Sequence, residues 1–62
     1  MTVPEFQKKY HEWFSKNKVE AIEECRKVNE DLVGGEAVVC DLGHLGCCLM
    51  LKTAYDYVKD IL

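Results

Sequence analysis

The chain has 62 residues, 48% of them hydrophobic and 31% charged, with a formal net charge of −3. A chain this short forms one domain, 1–62, and buries only about 60% of its unfolded surface, so it needs a staple, a metal or a partner chain. One proline, four glycines and the lack of repeats or low-complexity runs mark a globular rather than a disordered protein, and the acidity disfavours general nucleic-acid binding.

The charge is unevenly spread. Residues 1–18 carry four lysines against Glu5 and Glu12, whereas residues 20–36 carry six acids against Arg26 and Lys27. The amino-terminal stretch lacks the basic, apolar and small-residue regions of a signal peptide, which predicts a cytosolic protein with reduced thiols. The apolar-rich run Ala37 to Leu51 contains Asp41 and His44 and is shorter than the ~20 residues that span a bilayer.

The first predicted element is a helix. Thr2 and Glu5 stand at capping-box spacing with Pro4 in the first turn. Phe6, Tyr10, Phe14, Asn17, Ala21, Cys25, Val28 and Leu32 then recur at steps of three and four. Glu5/Lys9, Glu12/Lys16 and Glu23/Lys27 add i,i+4 pairs in the favourable orientation. A break is available at Ser15–Asn17, where Asn17 would cap a second helix with Glu20 three residues on. The stripe keeps its phase across Asn17, so one continuous helix is the preferred reading. Gly34-Gly35 ends it.

Beyond the turn, Cys40, His44, Cys47, Leu51, Ala54, Val58 and Ile61 share one helical face, with Val38, Leu42, Leu45 and Leu49 on an adjacent one. The fold expected is therefore all-α, an antiparallel helical hairpin. Its second apolar face marks an interface, so the hairpin is expected to assemble as a homo-oligomeric helix bundle, most simply a dimer of four helices. The alternative is an α+β fold with a short strand at 37–40, a turn at Asp41–Gly46 and a helix from about Leu45. The β-branched residues favour that alternative, and Gly43 and Gly46 inside a helix would each cost roughly 1 kcal/mol relative to alanine.

The densest chemistry lies in CDLGHLGCC, residues 40–48. As a metal site, Cys40, His44 and Cys47 at i, i+4 and i+7 would share a helix face, with Cys25 approaching from the other helix. The spacing is not that of a zinc finger, and free cysteine is commonly a small core hydrophobe, so core packing is preferred over a structural zinc module. As an anion cradle, Gly43, His44 and Gly46, with Tyr55 for stacking, would form a ligand pocket at a subunit interface. The P-loop and dinucleotide patterns are absent. A cysteine nucleophile paired with histidine would also need a substrate pocket that a chain of this size has little room for. Lys8, His11, Ser15 and Lys18 would line one helix face beside the aromatics, which suits an RNA-binding helical dimer; solvated lysines beside core aromatics are the simpler account.

Asp31-Leu-Val-Gly-Gly35 resembles the junction of a double-glycine leader peptide, with Leu32 in the apolar position before the glycines. The resemblance covers the junction only and implies a secreted bacteriocin precursor. Asn29 stands where that family has a second apolar residue, and Glu36–Leu62 is acidic where such peptides are basic.

The reading that follows is a small, non-enzymatic, cytosolic interaction protein: a regulator or inhibitor of a macromolecular partner, of the size that viruses and mobile elements encode. It implies no cofactor. Partner contacts are expected at Trp13, as an aromatic anchor, and along Glu20, Glu23, Glu24, Glu30 and Asp31, which would complement a basic surface.

Overall fold

A computed structural model of the chain, described here for residues 1–61, is α+β rather than all-α. Its elements run α1 (Val3–Lys9), α2 (Lys18–Asp31), β1 (Ala37–Asp41), a 3₁₀ turn (Gly43–Leu45), β2 (Cys47–Leu51) and α3 (Lys52–Val58). The helical hairpin and the four-helix bundle built on it are thus overturned. The alternative's α+β class and its strand at 37–40 match, the strand extended by one residue, but the helix it placed from about Leu45 is instead a second strand, Cys47–Leu51, with the helix starting at Lys52.

The first half is two helices, not one. Thr2 caps α1 in a complete capping box: its backbone N–H donates to Glu5 Oε1 at 3.1 Å and its Oγ1 accepts from Glu5 N–H at 3.4 Å. Helix α1 ends at Lys9, and Asn17 caps α2 by accepting from Val19 and Glu20 N–H groups at 2.9 and 3.3 Å. The intervening segment uses Ser15 as a strand-like link. Its N–H donates to the Cys47 carbonyl at 2.8 Å and its carbonyl accepts from the Cys47 N–H at 2.5 Å. The stripe that keeps phase across Asn17 is broken in space because Ser15 is needed at the edge of β2.

The second half becomes an antiparallel hairpin, with Ala37 opposite Leu51, Val39 opposite Leu49 and Cys40 opposite Cys48. Its residues satisfied both periods, because nearly every position from 37 to 51 is apolar or small. The glycines decide. Gly46 has φ +104°, a conformation closed to other residues, and a Cβ there would stand 2.5 Å from the Ser15 carbonyl oxygen. No continuous helix accommodates that.

Helix α2 lies across the hairpin. The core gathers Phe6 and Tyr10 at α1, Val28 of α2, and Ala37, Leu49 and Leu51 of the strands; Ala21 and Cys40 are fully buried. The outward edge of β1 is closed at Ala37 by a side chain. Asn29 Oδ1 accepts from the Ala37 N–H at 2.8 Å and Asn29 Nδ2 donates to the Ala37 carbonyl at 2.9 Å, so one amide imitates a neighbouring strand. A two-stranded hairpin is marginal alone. Asn29 and Ser15 supply the missing neighbours from the first half. No helix among the described residues is long and apolar enough to cross a membrane.

Candidate functional site

The residues expected to form a metal centre do not converge. The Cys25 thiol donates to the Ala37 carbonyl at 3.2 Å, whereas His44 lies exposed on the 3₁₀ turn and Cys40 and Cys47 are buried on successive strands. Among the described residues no group of three or more His, Cys, Asp or Glu side chains is placed to hold a metal ion. Burial pushes the Cys25 thiol up, as does the charge of Glu36, and the Asn29 hydrogen bond only partly offsets them.

The turn proposed as an anion cradle directs both of its glycine N–H groups to partners within the turn. Gly43 N–H goes to Asp41 Oδ1 at 2.9 Å, Leu45 N–H to the Leu42 carbonyl at 3.4 Å and Gly46 N–H to the Gly43 carbonyl at 3.0 Å. Tyr55 sits on α3, beyond the end of the hairpin opposite the turn, so the fold does not bring it to Gly43, His44 and Gly46. The face shared by Lys8, His11, Ser15 and Lys18 is also lost, since α1 stops at Lys9 and Ser15 is buried.

The acidic run stays on α2 but is mostly engaged within the chain. Arg26 donates to Glu23 at 2.6 Å and to Glu30 at 2.8 Å, and holds the Glu23 carboxyl below its usual range by hydrogen bond and charge. Glu24 accepts from the Tyr10 hydroxyl at 2.6 Å, Asp31 pairs with the Met1 amino group at 3.2 Å, and Glu20 lies in the first turn of α2. An open hollow between Met1, Glu5, Lys8, Lys9 and Asp31 is walled by several of these paired charges.

The feature that sequence reasoning only grazed is an aromatic cleft of about 380 Å³ where α1, the segment after it, β2 and α3 meet. Phe6 and Tyr10 stack with ring centroids 5.0 Å apart, and Trp13 meets Tyr10 edge-on at 6.0 Å. Phe14, Met50 and Ala54 complete the apolar lining. Phe14 remains 60% exposed although it stands beside this core. Trp13, placed on a helix by the periodicity, instead lies in the connecting segment and packs half-buried against the core. A second crevice adjoins across His11 and Trp13 and carries Lys8 and Lys9 against Glu12, which leaves that rim with a small net positive charge. Spacing alone hid the cleft, because Met50 and Ala54 reach it only through the hairpin.

Tyr10 anchors the cleft floor. Burial pushes its phenol up to about 12, reinforced by the hydrogen bond to Glu24 and by that carboxylate's charge. Since the folded value lies above the unfolded value of about 10, the stabilisation is fully present below pH 10 and is lost as pH rises through 12. The loss is at most roughly 2–3 kcal/mol, at 1.36 kcal/mol per unit, and is reduced by solvent screening at the hydroxyl. Denaturant titrations across that range, with phenolate absorbance as a second probe, should show a steeper limb in the wild type than in Tyr10→Phe, which keeps the loss from the raised Cys48 thiol.

No protein family, curated protein or solved structure matches the chain.

Proposed function

We propose that this is a small non-enzymatic interaction protein, acting in the cytosol as a regulator or inhibitor, that receives an apolar segment of a protein partner in its aromatic cleft. The observation that carries the reading is Phe14, largely exposed beside the ordered Phe6–Tyr10–Trp13 cluster. Rigid aromatics around a preformed groove are the usual composition of a binding hot spot. The basic rim at Lys8 and Lys9 selects a partner segment with acidic residues flanking its apolar anchors. This differs from the basic partner expected of the acidic run, whose charges are largely matched within the chain. A non-enzymatic role is supported by the thiols: burial raises Cys25 and carries Cys48 up to about 11, so neither supplies a ready thiolate near neutral pH.

Selection from a displayed library of random peptides tests the reading. Enriched sequences should share aliphatic or aromatic anchors with acidic flanks. Trp13→Ala should weaken their binding at least tenfold, on the order of 1.4 kcal/mol or more, while His44→Ala leaves it unchanged. Retained helix and strand signals by circular dichroism would separate lost contact from lost fold. Equal binding to wild type and Trp13→Ala, or enrichment of sequences sensitive only to His44, would sink the proposal in favour of the turn.

Self-association is the second reading, favoured by Tyr57 and Ile61, which are 84% and 83% exposed at helical spacing on and just beyond α3. The chain exposes 4559 Å², against about 4,100 Å² for a folded monomer of its mass. Sedimentation of the wild type against Tyr57→Ser distinguishes a dimer from a monomer.

A further inference from the structure

The four cysteines are free, and the hairpin sets two of them directly opposite each other. Cys47 directs its N–H and carbonyl outward to Ser15, so Asp41 and Cys47 form a pair without mutual hydrogen bonds. The next pair inward, Cys40 and Cys48, is then of the hydrogen-bonded kind, with Cα atoms about 5.5 Å apart. That separation falls within the range of roughly 4.4–6.8 Å that a disulfide bridges. Residues opposite in register also point to the same side of the sheet. We propose that Cys40 and Cys48 are a dithiol site that closes to a cross-strand disulfide by exchange with a small disulfide such as glutathione disulfide.

The other pairings fit poorly. Cys47 and Cys48 are neighbours in a strand, with Cα atoms about 3.8 Å apart and side chains on opposite faces. Cys25 is engaged at Ala37, three residues from Cys40 along β1 and about 10 Å away at the strand rise. Access is divided between the two partners. Cys48 is half-buried and lines the aromatic cleft, which gives a reagent a way in, whereas Cys40 is fully buried behind it. Burial raises the Cys48 thiol, and the charge and hydrogen bonding of Cys40 raise it further, which places the two thiols side by side.

The chemistry balances without another reactant. The small fraction of Cys48 ionised in alkaline buffer attacks one sulfur of glutathione disulfide, so the step is slow at neutral pH; it forms a mixed disulfide and expels one glutathione thiolate, which takes up the proton Cys48 gave. The Cys40 thiolate then attacks the Cys48 sulfur, and the bond to the second glutathione breaks, that glutathione taking the proton of Cys40. Two protein thiols are oxidised by two electrons, and one glutathione disulfide is reduced to two glutathiones.

The test treats the intact chain with glutathione disulfide in mildly alkaline buffer and follows it by intact mass and by peptide mapping after thiol alkylation. The expected product has lost two hydrogens, carries a Cys40–Cys48 cross-link, and melts about 10 °C higher because the nine-residue loop 40–48 is closed in the unfolded state. Cys40→Ala should stop at a single glutathione adduct on Cys48, and Cys47→Ala and Cys25→Ala should still close. A cross-link to Cys25 or Cys47, a disulfide-linked dimer, or a wild-type adduct that never resolves would overturn the proposal. So would a cross-linked form that melts lower than the dithiol. Failure of the peptide selection leaves this result unaffected, since it does not depend on the partner.

Discussion

Gly46→Ala is expected to destabilise the protein by about 4 kcal/mol. The backbone at Gly46, with φ +104° and ψ −159°, is essentially glycine-only, and forcing another residue into such a region costs on the order of 1–3 kcal/mol. The new methyl would also meet backbone rather than a movable side chain, 2.5 Å from the Ser15 oxygen and 3.2 Å from its carbonyl carbon. Relief requires Ser15 to retreat, which breaks both hydrogen bonds of the Ser15–Cys47 bridge at a buried position. At about 0.05–0.15 kcal/mol per residue, a domain this size has roughly 3–9 kcal/mol in total. The variant should therefore be partly or wholly unfolded near room temperature. Gly43→Ala is the control: φ is also positive there, +68°, but a Cβ meets nothing within 4 Å, so the expected cost is only about 1–2 kcal/mol. Urea titrations of the two variants check the difference, and equal costs would show that the Ser15 contact contributes nothing.

The second large effect is expected at Asn29, a polar residue on the exposed side of α2 that looks replaceable. Asn29→Leu keeps the side-chain volume but leaves the Ala37 N–H without a partner and its carbonyl with the Cys25 thiol alone. Ala37 is 2% exposed, and a leucine over it keeps water out. A loss of about 3–4 kcal/mol should follow, from two poorly satisfied groups at roughly 1–3 kcal/mol each. Asn29→Ala should cost less, because Asn29 itself lies at the surface and water can enter in its place. Asn29→Asp gives the sharper test. The introduced carboxyl can accept from the Ala37 N–H, but when ionised it faces the Ala37 carbonyl with no proton to donate. Its folded pKa should rise above the unfolded value of about 3.9, so this contribution is present below pH 4 and disappears as pH increases. Denaturation of Asn29→Asp that is no easier at neutral pH than at acid pH would contradict the strand-mimic role.

Much of the first half could be read from local residue chemistry. Thr2 and Glu5 form the capping box that their spacing announces, and Asn17 caps the second helix at the place where a break was recognised. The continuous helix failed because a 3.6-residue stripe does not report what Ser15 must do elsewhere. The glycine pair does lie in the turn after α2, although the helix ends earlier, at Asp31. Gly35 is closely approached by Val3 and Leu51, and Asn29, the residue that departs from the double-glycine leader pattern, is the one that completes the edge of β1. Trp13 was legible as an aromatic of interest, but its setting was not, because the cleft takes Met50 and Ala54 from the other end of the chain.

The sequence by itself determined the Thr2 cap, the glycine turn after α2 and the need for apolar burial, and offered the Asn17 cap and the turn at 41–46 as alternatives, since each depends on residues within three or four positions of one another. Whether 37–51 would obey a period of 3.6 or of 2 was undecided locally: the β-branched run and two glycines favoured strands by a few kcal/mol at most, against an apolar pattern compatible with either. Only the tertiary structure resolved it. Ser15 and Asn29, thirty-two and eight residues from the backbone groups they satisfy, give the hairpin the edge partners that a two-stranded sheet lacks. A buried strand edge without such partners is too costly to persist, and no local pattern encodes which distant residue will supply them.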